Sequence, residues 1–131
     1  MRVISQATGT ANLAESAKLA LRDAKARVLR VSRVRYDKAF GALFEDIVLP
    51  LEKFPGLTAS DSAPDVANLA ERFGLDIERV MERIRLVEAP ANVAQHLGIA
   101  AGTSVVKLDR ITETSGAEPI EWRVAYAWKA T

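Results

Sequence analysis

The motif "ANLA" at residues 11–14 recurs as "ANVA" at 91–94, and "VLRVSR" ending at Arg33 recurs as "VVKLDR" ending at Arg110. In each copy the first motif opens a helical pattern and the second lies in a strand pattern that turns back on itself. A repeated strand, helix, hairpin unit restricts the fold strongly. Two copies are too few for a solenoid, so the related halves should join in one mostly antiparallel sheet with helices packed against it, an α/β (α+β) architecture.

The remaining elements fit this scheme. "TANLAESAKLALRDA" predicts a helix capped by Thr10, with Leu13, Ala17, Ala20 and Leu21 as its apolar stripe. A strand from Val28 to Tyr36, a "DKAFG" turn and the strand "ALFEDIVLP" make the first hairpin. "KFPGLTASDSAP" reads as a loop, followed by a short helix with Val66, Leu69, Ala70 and Phe73 on one side and Gly74 as its stop. "IERVMERIRLVEA" alternates and predicts a long strand, with a charged helix as the competing assignment. The second copy then runs through a helix from Pro90 to Gly98 into the strands "SVVKLDRITE" and "PIEWRVAYAW".

With 131 residues, 49% of them hydrophobic, the chain suits one compact domain, 1–131. It contains no cysteine, which removes disulfides, thiolate zinc sites and a cysteine nucleophile. Eighteen basic residues nearly cancel seventeen acidic ones, so the chain has no global field to hold nucleic acid or an anionic membrane. No apolar run approaches the roughly 20 residues of a membrane helix. "MRVISQATGT" also lacks the apolar segment of a signal peptide, and a cytoplasmic location without cofactors is the simplest expectation.

Alternation places Leu29, Val31, Arg33 and Arg35 on one strand face. A turn centred on Ala39 puts Arg33 opposite Glu45, and a second turn between Ser115 and Gly116 puts Arg110 opposite Glu121. Facing carboxylates satisfy buried guanidinium groups, so structural ion pairs explain both arrangements. Arg35 has no such partner in this scheme, and an unpaired buried cation is costly. It therefore points to an anionic or water-filled space beside it, although charge networks also collect on sheet faces without a ligand. Glu121, Arg123, Ala125 and Ala127 share a face whose small alanines leave room for a ligand, or which simply meets solvent.

Other residues leave alternatives open. Glu82 either lines the same cavity or pairs with a neighbouring arginine. His96, the single histidine, is expected at the surface, so no histidine triad or metal cluster can be built. Ser60 and Ser62 precede a helix whose first amides suit an anion, or Ser62 is its N-cap. Trp122 and Trp128 share a face with Ile120, Val124 and Tyr126, the pattern of a core or dimer interface.

The ordered set R-x-R, E-x-x-x-LP, FPG, LG-x-x-x-GT, R-x-T and the final P-x-E resembles the UTRA domain of HutC-type regulators in the GntR family. The similarity spans nearly the whole chain. It implies a chorismate-lyase-like fold, a pocket for a small-molecule effector, a homodimer and operator binding through an N-terminal winged helix-turn-helix. No such DNA-binding pattern occurs in the chain, so it is expected to be the effector domain of a longer repressor.

Arg33, Arg35 and Glu45 match R-x-R and E-x-x-x-LP, where members sensing phosphorylated sugars use the arginines for the anionic group. Glu121 matches the late glutamate, and Glu82 an acidic position on the central strand. Pro64, Gly41 and Arg123 depart from the serine, proline and serine frequent at these places, which favours an anionic ligand other than a phosphosugar. The ligand-binding set implied is thus Arg33, Arg35, Glu45, Glu82, Glu121 and Arg123. Two alternatives stand beside a sensor: a chorismate-lyase-like enzyme acting on a small carboxylic acid, and a pure dimerisation module.

Overall fold

A computed structural model describes residues 1–61 and 65–130. Its element order is β1 (Arg2–Thr10), α1 (Leu13–Lys18), β2 (Arg27–Asp37), β3 (Gly41–Pro50), a 3-10 turn (Leu51–Lys53), α2 (Val66–Arg72), β4 (Ile77–Glu88), α3 (Ala91–Leu97), β5 (Ser104–Thr114) and β6 (Glu118–Trp128). The strands form one antiparallel sheet in the order β1-β2-β3-β6-β5-β4. Each half contributes a strand, a helix and a hairpin, and the hairpins meet along β3 and β6 as the repeat requires.

The sheet has two differently covered faces. Leu19 after α1 packs with Val28, Val48 and Trp122, while α3 brings Ala94 against Val105, Tyr126 and Trp128 on the same side. His96, the residue expected at the surface, is partly covered and stacks obliquely on Phe44 with ring centroids 5.3 Å apart. On the opposite face α2 presents Val66, Leu69 and Ala70 to Leu29, Val31, Ile47 and Leu49. Phe54 and Leu57, in the segment expected to be merely a loop, are buried in this cluster. Removing such side chains from water contributes about 1.5–3 kcal/mol each, so they fasten the segment to the sheet.

Several local expectations change. The first helix is capped by Asn12 rather than Thr10, because Thr10 still pairs with Arg27 in β1. Asn12 accepts from the Glu15 backbone N–H, and its own N–H donates to the Glu15 carboxylate, closing a capping box. Leu13 consequently points outward, and the helix ends before Ala20, which takes φ +51°. β1 itself covers a segment read only as lacking a signal peptide. Ser62 lies outside the described residues, and the N-cap of α2 is Asp65, which accepts from the Ala67 N–H.

The second hairpin departs from simple mirror pairing. Thr114 faces Glu118 and Glu113 faces Pro119, but Thr112 then faces Glu121, so Ile120 is an extra residue opposite no partner. This bulge turns Ile120 into the cluster of Leu29 and Ile47, away from the face of Trp122, Val124, Tyr126 and Trp128. Together with a turn centred on Gly116, it shifts the register so that Arg110 faces Arg123 instead of Glu121. The first hairpin keeps the expected register, with Arg33 opposite Glu45.

Gly41 opens β3 at φ +84°, where a Cβ would collide with the Trp128 carbonyl oxygen. Proline, frequent here in the resembling sequences, cannot take that angle. Gly41→Ala should lower unfolding free energy by about 2–3 kcal/mol in urea titration. Gly116→Ala, at φ +76° with open space around it, should cost only about 1 kcal/mol.

Candidate functional site

Four arginines and two glutamates lie on the α2-covered face, between the cluster of Leu29 and Ile47 and a second cluster of Leu43, Leu108, Ala125 and Ala127. Their positions follow from strand alternation. Arg33 and Arg35 come from β2, Glu45 from β3, Glu121 and Arg123 from β6, and Arg110 from β5. Glu45 and Glu121 are each about 1% exposed at the side chain, which is tolerable only because each is surrounded by donors.

Glu45 accepts on Oε1 from Arg33 Nε at 2.8 Å and Arg35 Nε at 2.7 Å. Its Oε2 accepts from Arg35 Nη2 at 3.2 Å and Arg123 Nη1 at 3.3 Å. Glu121 accepts on Oε1 from Arg110 Nη2 at 3.0 Å and Thr112 Oγ1 at 3.1 Å, and on Oε2 from two nitrogens of Arg123. A carboxylate offers roughly four lone-pair sites, and both carboxylates are filled by these contacts. Arg123 thereby bridges the two glutamates and ties the two halves of the sheet together.

This geometry corrects the expectation for Arg35. It is not without a partner: Glu45 holds it in a two-pronged contact, and Asp37 lies 3.8 Å from its Nη1. One carboxylate can serve both Arg33 and Arg35 because their side chains reach it from successive positions on the same strand face. The Arg110–Glu121 pair does form, but diagonally, across the shifted register.

Burial pushes the Glu45 carboxyl upward, yet hydrogen bonds from Arg35 and Arg33 and the charges of Arg123 and Arg33 outweigh this and hold it below its ordinary range. The same Glu45 contact raises Arg35 above the usual arginine range. Glu45 and Arg35 therefore stand as a charged pair within the group of four arginines and two glutamates.

Two cavities open on it. The larger, about 510 Å³, lies between the arginines, the start of α2 and β4, with Asp65, Val66 and Val80 on its walls. The smaller, about 200 Å³, is walled by Phe40, Leu43, Leu108 and Ala125 and also by Asp37 and Glu82. Arg35, Arg110 and Arg123 border both. The larger volume is that of a small-metabolite site, and the smaller lies below that range.

Five of the six residues marked in the sequence, Arg33, Arg35, Glu45, Glu121 and Arg123, meet in this network. Glu82 does not join it. It sits exposed on the edge strand β4, in register with Arg110, at the wall of the smaller cavity. Arg110 and Thr112 border the larger cavity and were absent from the marked set. The repeat carried the signal, since Arg110 occupies in the second copy the place of Arg33 in the first. Among the described residues no group of three or more histidine, aspartate or glutamate side chains is placed to hold a metal.

Glu45→Gln should destabilise the fold by about 3–5 kcal/mol, because three arginines lose one shared counter-charge. Since the Glu45 carboxyl is held down in the folded state, its contribution is complete above the ordinary glutamate range near 4.5 and is lost as pH falls through the lower folded value. Urea midpoints measured from pH 7 to pH 3 should fall more steeply for the parent chain than for Glu45→Gln.

The sequence profile of the UTRA domain matches residues 1–127. No curated protein sequence matches the chain. Among solved structures, the ligand-binding domain of a proposed GntR-family transcriptional regulator from Bordetella bronchiseptica superposes with a TM-score of 0.84 at 27% identity, over 98% of this chain and 81% of that one. The effector domain of PhnF from Mycobacterium smegmatis gives 0.83 at 23% identity, over 96% and 78%. A GntR-family transcriptional regulator from Enterococcus faecalis gives 0.80 at 19% identity, over 99% and 96%. The six-stranded sheet with its helices is the chorismate-lyase-like α+β fold of these effector domains. A profile match over nearly the entire length, on a sheet of this topology, makes the chain a member of the UTRA domain family, a ligand-binding regulatory domain.

Proposed function

We propose that the chain is the effector-binding and dimerisation domain of a bacterial GntR-family regulator of the HutC type, and that it senses a small anionic metabolite. The observation that carries this reading is the charge imbalance at the larger cavity: all four arginines line it with Asp65 as the one carboxylate on its walls, and the acceptor sites of Glu45 and Glu121 behind them are already filled. Arginine supplies paired donors that suit a carboxylate or phosphate. In the proposed site Arg33, Arg35, Arg110 and Arg123 face the ligand, and Glu45 and Glu121 orient them.

The proposed role is sensing rather than catalysis, in the cytoplasm, with operator DNA reached through a separate tethered domain. Residues 1–131 act as a single domain in this scheme. Binding alters DNA affinity only if the ligand prefers one of two arrangements of the regulator, and release of the operator requires preference for the one that does not bind DNA. A homodimer has a suitable surface on β4, where Val80, Ile84 and Leu86 are 51%, 58% and 78% exposed on one strand face.

A thermal-shift screen of carboxylates and phosphate esters tests the sensor. A true effector at saturating concentration should raise Tm by roughly 5–10 °C. Arg35→Ala combined with Arg110→Ala should abolish that rise. Absence of any stabilising anion, or turnover of chorismate in a mass-spectrometric assay, would remove the proposal. For the dimer, Ile84→Asp with Leu86→Asp should move the sedimentation profile toward monomer while leaving the circular dichroism spectrum unchanged.

A further inference from the structure

Arg110 is the least satisfied member of the network. Glu121 holds its Nη2, but its Nε is buried and has no hydrogen-bond partner among the described residues. Directly across the β5–β6 ladder stands Arg123, so two like charges oppose each other on neighbouring strands. Such a pair destabilises a sheet unless a counter-charge is close. Glu121 supplies one for both, with all its acceptor sites in use. The buried Nε is closed to the cavity, but Nη1 of this partly exposed side chain makes no hydrogen bond among the described residues, and an anion on the cavity side would meet it and offset the repulsion.

On the other flank of Arg110 lies Glu82, its register partner in β4. The Glu82 carboxylate makes no hydrogen bond or ion pair among the described residues. The two cavities differ accordingly. Three arginines border the smaller, and they face the carboxylates of Asp37, Glu45 and Glu82, whereas all four arginines border the larger and Asp65 alone faces them. Asp37 already accepts from the N–H groups of Ala39 and Phe40, and Glu45 is filled by arginines. Both of those N–H groups fall on Asp37 Oδ1 and its Oδ2 lies 3.8 Å from Arg35 Nη1, which leaves Glu82 as the carboxylate of the smaller cavity with no side-chain partner among the described residues.

We infer that the site takes a zwitterionic ligand, its carboxylate or phosphate seated on Arg110 and Arg123 in the larger cavity and its ammonium directed to Glu82 in the smaller. This rests on the sensor reading above and adds a second charge of opposite sign to the ligand. Arg110 is then the junction between the two subsites, and Glu82 decides between a zwitterion and a simple acid.

The test uses ω-amino carboxylates of increasing chain length and the monocarboxylates of matching length, titrated by calorimetry against the chain and two variants. At one chain length the amino acid should bind the parent about tenfold more tightly than its monocarboxylate. Glu82→Gln, which keeps the side chain's shape and leaves the arginine network intact, should erase that advantage without weakening the monocarboxylate. Arg110→Gln should weaken both compounds, with its fold checked by circular dichroism. If amino and plain acids bind equally, or if Glu82→Gln leaves their ratio unchanged, the zwitterion inference fails while the anion sensor stands. If neither series binds the parent chain, the inference is overturned, and the wider screen of anions decides the sensor reading separately.

Discussion

Two buried carboxylates organise the centre of this molecule. Glu45 and Glu121 lie out of water, and each fills its acceptor sites with arginine donors, Glu121 adding the Thr112 hydroxyl. Removing either would leave several buried or partly buried cations without their shared counter-charge. The network also spans the β3–β6 seam through Arg123, so the same contacts that arm the cavity fasten the two halves of the sheet. Side chains held this firmly present their remaining donors in fixed directions, which is the pre-organisation a small binding site needs.

The internal repeat explains why the cavity is lopsided. Both halves contribute a strand, a helix and a hairpin, and α1 and α3 cover the same face. Only the connection between the halves carries α2 and the anchors Phe54 and Leu57, and these cover one end of the opposite face. The copies also differ within the sheet. Where the first pairs Arg33 with Glu45, the second pairs Arg110 with Arg123 and draws its carboxylate from Glu121, two residues away. Like charges in the second copy and a doubly employed glutamate in the first gather four arginines on one face of the sheet, two on each side of the seam.

The fold was largely legible in the chain because its signals are local. Alternation located β2 to β6, Gly74 and Gly98 marked helix ends, and the recurrence of "ANLA" and "VLRVSR" arranged the elements into halves. The misses have equally physical causes. β1 has weak alternation and is stabilised mainly by its pairing with β2, so its pattern alone does not announce a strand. Thr10 and Asn12 are both competent caps, and the sheet, by retaining Thr10, decides between them. A bulge leaves no mark in composition, and the one at Ile120, added to a turn centred on Gly116, moved the second hairpin out of its expected register.

The sequence by itself determined which residues carry charge onto an apolar face, because strand periodicity assigns Arg33, Arg35, Glu45, Glu121 and Arg123 to one side whatever surrounds them. It also determined the Arg33–Glu45 register, set by a short turn closing through Gly41. Only the tertiary structure decided who pairs with whom beyond a single hairpin. Arg35 shares Glu45 with Arg33, Arg123 links two carboxylates on different strands, and Arg110 is left with a buried Nε that has no partner among the described residues. Hydrogen-bond capacity is allotted among all neighbours at once, and those neighbours come from four strands that meet only when the two halves close into one sheet.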